Sequence, residues 1–383
     1  MRQIAFTRSI VTFLILLVLL GVSRSGMQAQ SISENDVYAV AWSPDGSKIA
    51  GVILNAVMGL QFSSAQTQDE IFSVVWSSDG SMIAISGGVV GCDDTDPNRF
   101  PIRIFSATTG LITKLLYGMT CTSTGLDLSP DGQKLVSFNF AQSTAYIWNV
   151  VNGNLLLTVP FESQGMLSVD WSPNSNRIAS AFPGDFIVIW DSDTGQVIEP
   201  ILRGSISAWS PDSSRIAIGN SNSDAVSIVD VDTGNILLSL IGATDATNSI
   251  DWSQDGSHVA VGSADNKVRI WNVGSGQLTS TFNVSNIVAD VNWSPNGQAI
   301  AVAGFDSSTS LGIVSVLDVA SGSQLSSFTQ SERLLSVAWS PDGAKLAFGG
   351  RDGIVKIMQA FAPPQRNGAG LRQRWGRHPT ASR

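Results

Sequence analysis

Histidine and cysteine are nearly missing from this chain, with two of each in 383 residues. With so little imidazole, a Ser/His/Asp triad or a His-based metal site has almost no raw material. No Gly-x-Ser-x-Gly elbow and no phosphate-cradling glycine loop occurs; Gly274-Ser-Gly276 lacks the third glycine and belongs to a recurring turn. Charged residues make up only 14% of the sequence. That fraction is too low for a disordered chain, and no long amphipathic helical pattern is present. What remains is abundant Gly, Ser, Thr and Asn among short apolar runs, the composition of short strands joined by tight turns.

The longest apolar run is Ile10 to Val22, 13 residues behind Arg2 and Arg8. It is short for a bilayer span and has the length of a signal-peptide core, so residues 1–29 read as a leader cleaved after Ala29. An uncleaved anchor is the alternative. No cysteine follows the run, which argues against a lipid-anchored form, and the expectation is an exported protein without stable membrane insertion. Residues 364–383 carry Arg366, Arg372, Arg374, Arg377 and Arg383 without one acid and read as a disordered basic tail. Between the two ends, 14 basic residues face 31 acidic ones, a net charge of −17 on the body. Such a field repels phosphate backbones, so nucleic acid is not an expected partner. Aspartate dominates the acids, much of it in turns where it bonds its own backbone.

Internal repetition organises residues 30–363. A five-residue cassette begins at Trp42, Trp76, Leu128, Trp171, Trp209, Trp252, Trp293 and Trp339, reading WSPDG or a close variant, at spacings of 34, 52, 43, 38, 43, 41 and 46. Repeats of about 40–45 residues suit four-stranded propeller blades. Each cassette follows an alternating run such as Leu335–Trp339, in which Val337 and Trp339 share a face. In the turn, Pro pre-sets φ and Gly tolerates positive φ. A second run follows, then a Gly/Asp-rich loop. The third run ends in pairs such as Trp190-Asp191, Val229-Asp230 and Trp271-Asn272. A Thr-Gly or Ser-Gly turn leads to the fourth. Four strands per unit predict an all-β propeller of antiparallel blades, eight by cassette count and seven as the alternative. Units one and eight are short, and residues 30–35 could supply the outer strand that unit eight lacks.

The stretch SVDWSPNSNRIASAFPGDFIVIWDSDTGQVI (168–198) resembles a bacterial repeat of the WD-repeat (WD40-like) family, and the similarity runs from about residue 36 to 360. The resemblance implies a propeller that serves as a scaffold for other proteins. It is incomplete. The Gly-His pair before the inner strand is absent throughout, so the family's Asp-His-Ser-Trp hydrogen-bond network can be only partial. Ser263, Asp265 and Trp271 match three of its positions, and Asp185 with Trp190 is a weaker match.

Seven of the eleven tryptophans occupy the cassette position, which marks them as core rather than ligand-stacking residues. The loop after the second strand offers better contact candidates: Phe140, Phe182, Asp185, Phe305, Asp306 and Arg351. Asp93, Asp94 and Asp96 have the close oxygen spacing of a calcium loop without the EF-hand glycine and closing glutamate, so a solvated loop is the simpler reading. Acids of different blades could meet at the central channel in the manner of glycosidase carboxylates. Cys92 and Cys121 fall in loops that a propeller opens on the same face in adjacent blades. An exported protein would oxidise them to a disulfide; two free thiols are the alternative. The chain therefore reads as an exported, non-catalytic, monomeric scaffold for a protein partner, with no cofactor. A TolB-like envelope accessory propeller and a carbohydrate-binding or carbohydrate-cleaving propeller are the alternatives.

Overall fold

The computed structural model describes residues 37–360 apart from 54–55, 59–69, 89–100, 120–122, 124, 140–142, 163–164, 221–224, 285–286 and 352–355. The expected leader and basic tail, the 30–35 segment, the Asp93–Asp96 loop, Phe140, Cys92 and Cys121 all lie outside the described residues.

Every cassette ends the inner strand of its own antiparallel sheet. Six sheets have four strands and two have three, each a plain meander in chain order. The three-stranded ones are unit one (Val37–Trp42, Ile49–Ile53, Ala56–Met58) and unit eight (Leu334–Trp339, Lys345–Gly350, Lys356–Gln359). No helix occurs among the described residues. The fold is an all-β propeller.

The cassette turn has a common hydrogen-bond plan. In unit six, Ser253 Oγ donates to Asp255 Oδ1 at 2.7 Å and accepts the His258 amide at 2.9 Å, while Asp255 Oδ1 accepts the Ser257 amide at 3.0 Å. The same serine hub recurs at Ser43, Ser77, Ser129, Ser172, Ser210, Ser294 and Ser340. The fifth residue needs positive φ. Gly256 has φ 69, and where serine replaces glycine, Ser175 and Ser213 are held at φ 65 and 62. The second recurring turn caps the third strand: Asp191 Oδ1 accepts the Thr194 amide and hydroxyl, both at 2.8 Å.

Alternation along each strand sends its apolar side chains to both faces of the sheet, so the core lies between sheets. One cluster joins Ala299, Ala301, Ala303, Val314 and Val316 of unit seven to Leu334, Val337, Trp339 and Phe348 of unit eight. The cassette tryptophans also bridge the junctions. Each indole donates to the carbonyl preceding the previous unit's cassette: Trp171 to Asp127, Trp209 to Asp170, Trp252 to Ala208, Trp293 to Asp251 and Trp339 to Asn292, at 2.9–3.2 Å. Trp42 Nε1 donates to Ala338 O at 3.1 Å, joining unit one to unit eight and closing the ring. Trp76 Nε1 is buried without a hydrogen-bond partner, and unit three has Leu128 instead of Trp, so the latch is missing on both sides of unit two.

Candidate interaction face

A meander of four strands puts the cassette turns and the third-strand turns on one side of the ring. The loops after second strands and the links between sheets open on the other. Phe182, Asp185, Phe305, Asp306 and Arg351, the predicted contact residues that are described, belong to this second face.

Phe182 is not exposed there. It ends the strand Arg177–Phe182 at 1% accessibility, stacked on Phe186 at 5.1 Å and against Phe161 at 5.2 Å. The reason is strand periodicity. The residue continues the inward alternation of Ile178 and Ser180 and packs into the junction between units three and four. Asp185 takes φ 60 in the turn that follows, and its carbonyl accepts the Gly204 amide at 2.9 Å. Asp306 caps its own loop, its Oδ1 accepting the Ser308 amide at 2.7 Å and the Ser308 hydroxyl at 2.6 Å. These bonds, the Ser308 hydroxyl first, hold its carboxyl below the usual carboxylate range.

Phe305 and Arg351 come together around a residue that the sequence did not single out. Arg333, in the link between units seven and eight, lies with its Cζ 4.3 Å from the Phe305 ring centroid. Its carbonyl accepts the Arg351 amide at 2.9 Å. The approach is too close for side chains. A Cβ on Gly350 would stand 1.9 Å from Arg333 O, and one on Gly312 would stand 2.1 Å from Glu332 O. Two glycines thus clamp the link, and Gln330 Nε2 donates to Glu332 O at 3.0 Å. Desolvation and then the charge of Arg351 pull the Arg333 pKa down, against a smaller opposing pull from Glu332. The signal in the sequence was weak, because Arg333 falls between strands and outside any repeated motif.

Three inner-strand acids are buried, and two of them, Asp251 and Asp290, act on one another. Asp127, Asp251 and Asp290 are at most 3% exposed. Inner strands of adjacent sheets share no ladder, so these carboxylates take up the amides that face the channel. Asp127 Oδ2 accepts the Trp171 amide at 2.9 Å and Asp251 Oδ2 the Trp293 amide at 2.7 Å. Asp290 reaches two units: its Oδ1 accepts a hydrogen bond from Ser249 Oγ at 3.1 Å and its Oδ2 one from the Val337 amide at 3.0 Å. Burial raises Asp290 to about 7 and drives Asp251 well above the usual range, with Asp290 adding to the effect on Asp251.

The expected Asp-Ser-Trp network is divided between units. In unit four Trp190 Nε1 donates to Ser180 Oγ at 2.9 Å. In unit six Asp265 is taken instead by Arg269, a buried ion pair at 2.7 Å, and by the Thr244 amide at 2.9 Å. Among the described residues, no group of three or more His, Cys, Asp or Glu side chains is placed to hold a metal ion. Nor is any helix there long and apolar enough to cross a membrane.

A closed ring of four-stranded meanders whose inner strands end in tryptophan cassettes defines the class as a β-propeller. Comparison with known families refines this. The profile "WD domain, G-beta repeat" matches residues 234–272 and 322–358. Both matches start just before an outer strand and run through the third strand of the next unit. Two stretches of the chain, in units five to six and seven to eight, thus match the WD-repeat profile. The chain is similar to Autophagy-related protein 16 of Arabidopsis thaliana, 22% identical over 56% of this chain and 45% of that protein. It also resembles WD repeat-containing protein SL1-17 of Schistosoma mansoni, 25% identical over 49% of this chain and 64% of the relative. The APC/C activator protein CDC20 of Saccharomyces cerevisiae is 27% identical over 42% of this chain and 27% of its own length. The similarity spans less than two thirds of each of these relatives.

Proposed function

We propose that this chain is an exported, non-catalytic propeller of eight WD-type units that binds a protein partner through the loop face of units seven and eight. The observation that carries the reading is the Phe305–Arg333–Arg351 cluster. A clamped link that lays the Arg333 guanidinium against Phe305, with the Arg351 amide bonded to it, forms an interface anchor on a body whose net charge is −17. The relatives support the general role, since the yeast protein is by name an activator of another assembly. Export, a monomeric state, the absence of a nucleic-acid partner and a Cys92–Cys121 disulfide are parts of the same proposal. The carbohydrate alternative draws no support from Asp127, Asp251 and Asp290, which are sealed from solvent.

The test is capture from the exported fraction of the source cells with the full chain. One dominant protein should be retained by the wild type and by Thr194→Ala, on the opposite face, and lost on Phe305→Ala with Arg351→Gln. Equal retention by all three, or no retention, would refute the reading.

A further inference from the structure

We propose that Arg333 is the recognition residue of this face and that the segment it takes is a short acidic peptide, gripped by one carboxylate in the fork of the guanidinium. The inference rests on the loop-face reading above and adds the chemistry of the partner.

Four observations lead to it. Arg333 lies against the Phe305 ring at 4.3 Å, which covers one face of the guanidinium. The in-plane N–H edges are what a stacked guanidinium still offers to a bidentate acceptor. Among the described residues no hydrogen bond or ion pair occupies those N–H groups, in contrast to Arg269, whose fork is filled by Asp265. The backbone carrying Arg333 is fixed by the Arg351 amide, by Gln330, and by the close approaches at Gly312 and Gly350. A peptide therefore meets a prearranged group and loses less free energy to ordering it.

Electrostatics select the sign of the partner. Two arginines act on one another here: Arg351 lowers the Arg333 pKa, after desolvation, by more than Glu332 raises it. Asp306, the acid that follows Phe305 in the chain, is turned onto its own loop, its Oδ1 accepting the Ser308 and Thr309 amides. An arriving carboxylate relieves the repulsion between the two arginines. The rest of the body limits how far an anion can extend, because a polyanion would have to lie across a surface of net −17. A segment with one or two carboxylates escapes that penalty, and a nucleic acid does not.

Short random peptides displayed on phage would be selected against the full chain, and the retained ones titrated by fluorescence anisotropy. The expected result is enrichment of Asp or Glu at one position. Arg333→Gln should weaken binding about tenfold or more, and Arg333→Lys, which keeps the charge but not the fork, by several-fold. Far-UV circular dichroism and an unchanged unfolding midpoint would show that each variant is folded. Peptides without acidic enrichment, or peptides indifferent to Arg333→Gln, would overturn the inference and leave the loop-face reading standing. Tighter binding of a single-stranded oligothymidylate at the same site would also overturn it. Failure to retain any peptide while the capture experiment still yields a partner rejects the acidic segment alone; failure of both rejects the face.

Discussion

Asp290 is held by Ser249 from the unit before it and by the Val337 amide from the unit after it, and burial raises its pKa to about 7. A carboxyl whose pKa is higher in the folded than in the unfolded chain favours folding in its protonated form. The stability it contributes is complete below the unfolded value, near 3.9, and is lost as pH rises through about 7. The shift corresponds to roughly 4 kcal/mol at most. Asp255 works in the opposite sense. Its pKa is lowered to about 2, first by the Ser253 hydroxyl, so its contribution is present above about 4 and lost toward pH 2. The chain should accordingly be more stable at pH 5 than at pH 8. Urea midpoints should show that difference in the wild type and a clearly smaller one in Asp290→Asn, with Asp251 supplying the remainder. An identical pH slope in the two proteins would contradict the assignment. At this scale the sequence was only partly legible. The turn aspartates could be read from their cassettes, whereas Asp251 and Asp290 depend on which strands the ring brings side by side. Arg333 was missed for the same reason, and Phe182, assigned to a loop, completes a strand.

Among the elements, the inner strand is the one that joins units, and its tryptophan does so by packing and by a hydrogen bond. Trp252 and Trp76 separate these contributions. Both are buried, but Trp252 Nε1 donates to Ala208 O at 2.9 Å and Trp76 Nε1 has no partner. Trp252→Phe removes a buried hydrogen bond, at a cost of about 1 kcal/mol beyond the lost packing. Trp76→Phe removes an unpaired donor and should cost distinctly less. Chemical denaturation of the two variants makes the comparison, and equal losses would show that the indole bonds add nothing to the ring. Strands and turns were the most legible features of the sequence, since period-two alternation and the Pro-Asp-Gly and Thr-Gly turns follow from local chemistry. The serine hub of the cassette was local too, but its role appears only when its two bonds are seen together. The Asp265–Arg269 pair, which takes up the acid expected in the Asp-Ser-Trp network, was not read in advance.

For the molecule as a whole, the repeat made the propeller legible, and eight cassettes correspond to eight sheets among the described residues. Closure was not legible, because the bond from Trp42 to Ala338 joins residues 296 apart. Nor was the gathering of Phe305, Arg333 and Arg351, which two units and their link build jointly. The proposed Cys92–Cys121 disulfide would tie the loop face of unit two to unit three, where the ring lacks its indole latch. Thiol titration of the denatured, unreduced exported protein should find no reactive thiol; two would reject the link.

The central claim is that binding takes place on the loop face at units seven and eight. It is tested most directly by hydrogen exchange of the full chain, free and bound to its captured partner. Protection on binding should appear at residues 304–312, 330–334 and 350–351 and be absent from the cassette turns. Protection confined to the cassette side, or to outer strands such as Ile236–Ile241, would contradict it.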